Sequence, residues 1–306
     1  MKTTTIVLFL AAGIACWTAP AVYADGEVCS ASEIKVSDGM LRKAEEAEKA
    51  GRIQDAYKAA TQSIPSIHCA GNGYKRRDGV IERTSKKLGE ETEKAGRFGE
   101  AFGYYSAPAR HGRADYDLGN ADRAMLKHAK ARPDDYKVVS EAANHFVRRD
   151  LSSSLKEVRG IAKRGGDKML AKEEKTFAAR KDSLDDLGKA REWLDLAGEA
   201  KPANARAEQR GDTLLAEGSF RSVERAFSYY SFAENPKKID AAKDRARNLG
   251  DQHAGKGDHG LAAKFYNLSG DEAKAAAVEQ QKEKAETKRQ GKFKKDQKSL
   301  EKELGF

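Results

Sequence analysis

The densest group of side chains with metal-binding or acid–base chemistry is Asp251, His253, Asp258 and His259, four potential ligands within nine residues. Imidazoles and carboxylates together could hold a divalent transition metal. Their spacing, however, fits a solvated helix end followed by a turn, so no metal is expected there. The motifs that carry other chemistries are missing from the sequence: no glycine loop ending in Lys-Ser/Thr, no Gly-x-Ser-x-Gly elbow, no His-Glu-x-x-His and no Cys-x-x-Cys-His. Asp and Glu together number 48, too many for any pair to stand out as acid and base. The chain is therefore expected not to be an enzyme and to need no cofactor.

The elements that would position side chains come from repetition. Leu88, Gly89, Gly96, Ala101 and Tyr105 recur as Leu249, Gly250, Gly257, Ala262 and Tyr266, each 161 positions later. Ala190, Ala226 and Ala262 are spaced by 36 residues, and so are Leu194, Tyr230 and Tyr266. Residues four apart share a helical face, so Ala262 and Tyr266 pack together, while Gly257 ends the preceding helix. The unit reads as helix, turn, helix: a glycine where the partner must come near, then a small residue and a ring to fill the gap. Such a hairpin leaves an apolar face open, so neighbours must stack. The adjacent rings Tyr104-Tyr105, Tyr229-Tyr230 and Phe265-Tyr266 point about 100° apart on a helix. One of each pair should pack within its hairpin and the other meet the next repeat.

This spacing resembles the tetratricopeptide repeat superfamily, best over 249–269 and 88–105, with Phe177-Ala178 and Ala190, Leu194 and Ala197 as a further copy. The resemblance implies an all-α solenoid of antiparallel helix hairpins. It also implies that the first helices line a concave surface, faced by positions three and six before the glycine, or before Ala178 in the further copy. Those positions are Lys86 and Arg83, Lys175 and Lys172, and Arg247 and Asp244. Five of the six are basic, so Arg83, Lys86, Lys172, Lys175 and Arg247 are the candidate partner-binding groove. Such a groove would favour an acidic segment through charge-assisted hydrogen bonds.

Residues 1–24 carry one lysine, an apolar run from Ile6 to Cys16 and a small residue at Ala24. They read as a secretory signal peptide cleaved after Ala24. A run of 11 residues falls short of the roughly 20 that a membrane span needs. Gly13 stands where a lipobox has a large aliphatic residue, so lipidation at Cys16 is not expected. Export leaves Cys29 and Cys69, and an oxidising compartment makes them a disulfide. Closing a loop of that size is worth roughly 3 to 4 kcal/mol in the chain-entropy account.

Downstream, residues 25–39 read as an irregular lead, 40–164 as N-terminal helical hairpins, 165–271 as the repeats and 272–306 as charged capping helices. Ser152-Ser153-Ser154 and Gly165-Gly166 read as punctuation around a short helix from Leu155 to Lys163. That region marks either a boundary between two sub-arrays or a distorted repeat. Phe293, Leu300 and Leu304 form a narrow stripe by which the last helix can dock. Charged residues make up 34% of the chain, intermixed in sign, with a net charge of +9. Solvated helices have that composition; disordered chains do not.

These features predict a non-catalytic scaffold, periplasmic or secreted, that binds a protein or peptide partner in a bacterial envelope. The alternative is a binder of an anionic envelope polymer or polysaccharide. Nucleic acid is not an expected partner, and no membrane span is expected in the processed chain.

Overall fold

A computed structural model describes residues 31–63 and 73–303 of the chain. The expected signal over 1–24, Cys16 and the expected Cys29–Cys69 disulfide lie outside the described residues. Among the described residues every regular element is an α-helix, fourteen in all. The chain divides into two compact units, 1–125 and 126–306.

In the first unit, α1 (Ala31–Lys49) and α2 (Ile53–Gln62) form one hairpin. A second is made by α3 (Gly73–Lys94) and α4 (Phe98–Tyr105), followed by the short α5 (Ala107–Arg110). The chain crosses between units within α6 (Gly119–Ala131), whose Ala121 and Ala124 pack against Ala101 and Tyr105 in the first. In the second unit α7 (Tyr136–Arg148) packs on α8 (Ser152–Ala178), which pairs with α9 (Leu184–Ala197). Two more hairpins follow, α10 (Lys201–Glu217) with α11 (Phe220–Phe232) and α12 (Pro236–Gly255) with α13 (His259–Ser269), and then the long α14 (Glu272–Glu303).

One turn recurs along the chain, and three of its copies close the first helix of a hairpin on a glycine. Gly51, Gly96 and Gly257 take φ of 74°, 73° and 77°, a left-handed conformation that costs glycine nothing. Each donates its N–H to the carbonyl three residues back, and the following residue donates five back, as Arg52 does to Ala47 at 2.9 Å and Asp258 does to His253 at 2.9 Å. This double bond pattern closes the first helix and fixes where the second begins. Side-chain caps at Asp135, Ser219, Asn235 and Asp258 then accept from the first free N–H groups of α7, α11, α12 and α13.

Alanines make the core of the hairpins. Ala44, Ala60, Ala101, Ala226, Ala246 and Ala262 are completely buried, and the fully buried rings Tyr105, Tyr229, Tyr230 and Phe265 fill the space beside them.

Three expectations are corrected. The lead over 25–39 is helical from Ala31, because Ser37, one turn before Leu41, extends the same buried stripe with a hydroxyl instead of a methyl. Gly165 and Gly166 are not punctuation: α8 runs unbroken through them, and the division between units falls at 125/126. A Cβ on Gly165 would lie 2.5 Å from Trp193, and one on Gly166 would lie 2.6 Å from Leu194, so α9 rests directly on that backbone. The glycines are there for close approach, and Phe177-Ala178 is not the counterpart of Leu249-Gly250. Finally, α14 docks only through its first turns, where Ala275 and Val278 pack with Ala262, Ala263 and Tyr266. Phe293 and Leu300 are 71% and 57% exposed, and Leu304 lies outside the described residues. One apolar residue every two turns among Lys and Glu buries too little to hold a helix down. No described helix is long and apolar enough to cross a membrane.

Candidate functional site

Three hairpins carry the same contact in their interiors. Gly89, Gly211 and Gly250 each face the ring of a tyrosine on the second helix, Tyr105, Tyr230 and Tyr266. A Cβ added at Gly89 or Gly250 would meet that ring at 2.5 and 2.7 Å. The ring lies across the helix backbone and its hydroxyl reaches a carboxylate on the same first helix. Tyr105 donates to Glu93 at 2.9 Å, Tyr230 to Asp212 at 2.8 Å and Tyr266 to Asp251 at 2.7 Å. Each carboxylate also accepts from a cation on a later helix: Arg123 of α6 at 3.3 Å, Lys238 of α12 at 2.7 Å and Lys274 of α14 at 2.7 Å. The lock thus ties first helix, second helix and a helix further along the chain.

Electrostatics hold these groups in one protonation state. Burial, reinforced by the neighbouring carboxylate, pushes the Tyr105 and Tyr266 hydroxyls up to about 12 and raises Tyr230 as well. Hydrogen bonds from Lys274 and then Tyr266 hold Asp251 below the usual carboxylate range. At Asp212 burial opposes the shift, but bonds from Lys238 and Tyr230 outweigh it and the net displacement is downward. Neutral tyrosines beside ionised carboxylates are braces, not nucleophiles.

The first ring of each adjacent pair reaches back to the preceding hairpin instead of forward to the next. Tyr104 meets Tyr57 edge-on with centroids 5.4 Å apart, Tyr229 meets Phe177 at 6.1 Å, and Phe265 meets Phe220 at 5.5 Å. Behind Tyr229 lies a buried polar knot. The Glu173 carboxylate, fully buried, accepts from Arg210 at 3.0 and 3.1 Å and from the Ser183 hydroxyl at 2.8 Å.

The five candidate groove residues divide into two groups. Arg83 makes a bidentate pair to Glu48 of α1 at 2.8 Å through both nitrogens, and the Arg83 bond holds the Glu48 carboxyl below its usual value. Lys172 donates to Asp186 of α9 at 2.8 Å, where Thr176 also donates at 2.8 Å. Arg247 pairs with Asp244 at 2.9 Å and lies 3.5 Å from Asp271. Arg83 and Lys172 brace adjacent helices, whereas Arg247 pairs within α12 and with the turn that leads into α14. Lys86 on α3 and Lys175 on α8 are exposed, and among the described residues neither has an acidic partner.

The quartet at the α12–α13 turn disperses. Asp251 belongs to the tyrosine lock, His253 lies 3.4 Å from Asp258 and stacks on Phe265, and His259 stands at the first turn of α13. No group of three potential metal ligands occurs among the described residues. The carboxylates of the locks were not legible as a set, although Asp212 and Asp251 each follow the close-approach glycine directly. Glu93 departs from that position by a turn, which hides the pattern.

A comparison of the sequence with protein-family models and with curated proteins finds no match.

Proposed function

We propose that this chain is an exported, non-catalytic, tetratricopeptide-like scaffold that binds a protein or peptide partner in the bacterial envelope. The observation that carries this reading is the tyrosine lock, rebuilt in three hairpins with the same glycine, ring, carboxylate and following cation. A fold made by repeating one rigid joint offers extended first-helix surfaces, which suit contact with another chain. The polar side chains of these joints are engaged in holding helices together, which supports a scaffold over a reaction centre. The leader-like segment over 1–24 supports export.

With Gly166 as the close-approach glycine of α8, Lys172 and Lys175 lose the register that put them in the expected groove, and Lys86 is the cation of that groove left for a partner. The test is capture from envelope extract with the full chain beside a Lys86→Glu variant of equal helicity and melting temperature. The scaffold reading expects one protein retained by the parent at 150 mM salt and lost by the variant. Retention of polysaccharide alone, released in proportion to ionic strength, would replace it with the anionic-polymer reading.

A further inference from the structure

A cavity of about 400 Å³ opens in the second unit where α8 ends and α10 turns into α11. Phe177, Ala178 and Leu214 give it apolar wall, and three guanidinium groups, Arg180, Arg221 and Arg225, line it as well. Among the described residues none of the three is ion-paired; Arg225 donates through Nη2 to the Lys181 carbonyl at 3.0 Å, which holds it in place. The one carboxylate lining the cavity, Glu217, accepts from the Ser222 hydroxyl at 2.6 Å, and Ser222 is in turn held by Ser219. The cavity therefore carries a surplus of positive charge.

Arg180 closes α8 in a left-handed turn, as Asp150 closes α7 and Glu234 closes α11. The φ of Arg180 is 56°, in the left-handed region that side chains other than glycine adopt at a cost. Lys181 N–H donates to the Thr176 carbonyl at 3.1 Å, so this is the same helix-ending turn that Gly51, Gly96 and Gly257 make without strain. The arginine in that place lines the cavity.

We propose that this cavity is a carboxylate-binding site that takes an acidic side chain of a partner peptide, the guanidinium groups pairing with the carboxylate and an aliphatic neighbour lying against Phe177 and Leu214. Planar guanidinium groups match a carboxylate two bonds at a time. The apolar wall favours a peptide over a small, fully hydrated anion. The site rests on the scaffold reading and supplies the class of partner for it.

The experiment is fluorescence anisotropy of the full chain with a fluorescein-labelled peptide of sequence Glu-Leu-Glu-Glu-Leu-Glu and its Gln-for-Glu counterpart at 150 mM salt. The Glu peptide should bind and the Gln peptide should bind at least tenfold more weakly. Arg180→Gly should weaken binding at least fivefold while raising the melting temperature, because it removes a charge and relieves the turn, so its loss cannot be unfolding. Ala178→Trp, which fills the cavity without changing charge, should also weaken binding, and Lys284→Glu on the exposed face of α14 should leave it within twofold. Failure of the Glu peptide to bind, an undiminished affinity in Arg180→Gly and Ala178→Trp, or an equal loss in Lys284→Glu would overturn the site. Displacement of the peptide by inorganic phosphate at lower concentration than by acetate would overturn the carboxylate assignment. If the parent chain still captures an envelope protein while the peptide fails, the cavity proposal falls and the scaffold stands. If nothing is captured, the scaffold falls.

Discussion

Gly250 and Gly188 separate two meanings of a helical glycine. A Cβ on Gly250 would lie 2.7 Å from the Tyr266 ring, whereas one on Gly188 meets nothing within 4 Å. Gly250→Ala should cost about 1–3 kcal/mol, because the ring must leave its seat. Gly188→Ala should stabilise by about 0.5–1 kcal/mol, the ordinary helix preference for alanine. Urea denaturation of both variants measures the two signs. The tyrosines themselves give a spectroscopic check. With Tyr105 and Tyr266 pushed up to about 12 from an ordinary 10.0, the folded chain keeps their protons where the unfolded chain releases them. The stability they contribute is fully present below pH 10 and is lost as pH rises towards 12. Absorbance of tyrosinate during an alkaline titration should show a lagging class of tyrosines that ionises together with loss of helix.

The hairpin was readable because its requirements fall on few residue types. Leu-Gly, a turn glycine, Ala and an aromatic at fixed spacing are what a close helix pair needs; all five positions repeat at 161, and those of Ala and the large side chain after it also at 36. The reading failed where spacing changes but contact does not. Gly166 precedes Leu194 by 28 residues whereas Gly250 precedes Tyr266 by 16, since both helices of the α8–α9 pair are longer, so the matching glycine looked like a break. Ion pairs between successive helices, such as Lys172 with Asp186, were invisible because helix register, not sequence distance, brings them together. Element α14 shows the converse, a periodic stripe that is not used. Val278→Ala should cost about 1–2 kcal/mol, since it removes two buried methyl groups against Ala262 and Tyr266. Phe293→Ser and Leu300→Ser should each stay within about 0.5 kcal/mol of the parent by thermal melting.

Across the whole molecule, cations hold carboxylates on neighbouring helices again and again. Glu48, Asp186, Asp212 and Asp251 all sit below their ordinary values, 4.5 for the first and 3.8 for the others. A carboxylate displaced downward in the folded state contributes stability that is complete above its ordinary value and disappears as pH falls through the lowered one. The melting temperature should therefore drop progressively below about pH 4.5 while Lys and Arg remain charged. The net charge of +9 at neutral pH grows in the same interval and adds self-repulsion. An equally high melting temperature at pH 3 and pH 7 would show that these pairs do not hold the helices.

The central claim is that the helices present a surface to another protein. It is tested most directly by placing a photo-crosslinking amino acid at position 86 of the full chain and irradiating living cells of the source organism. The account predicts one discrete adduct with a protein of the cell envelope, formed from position 86 and absent from position 188. No adduct from position 86, or only a broad smear of polysaccharide mass, would contradict it.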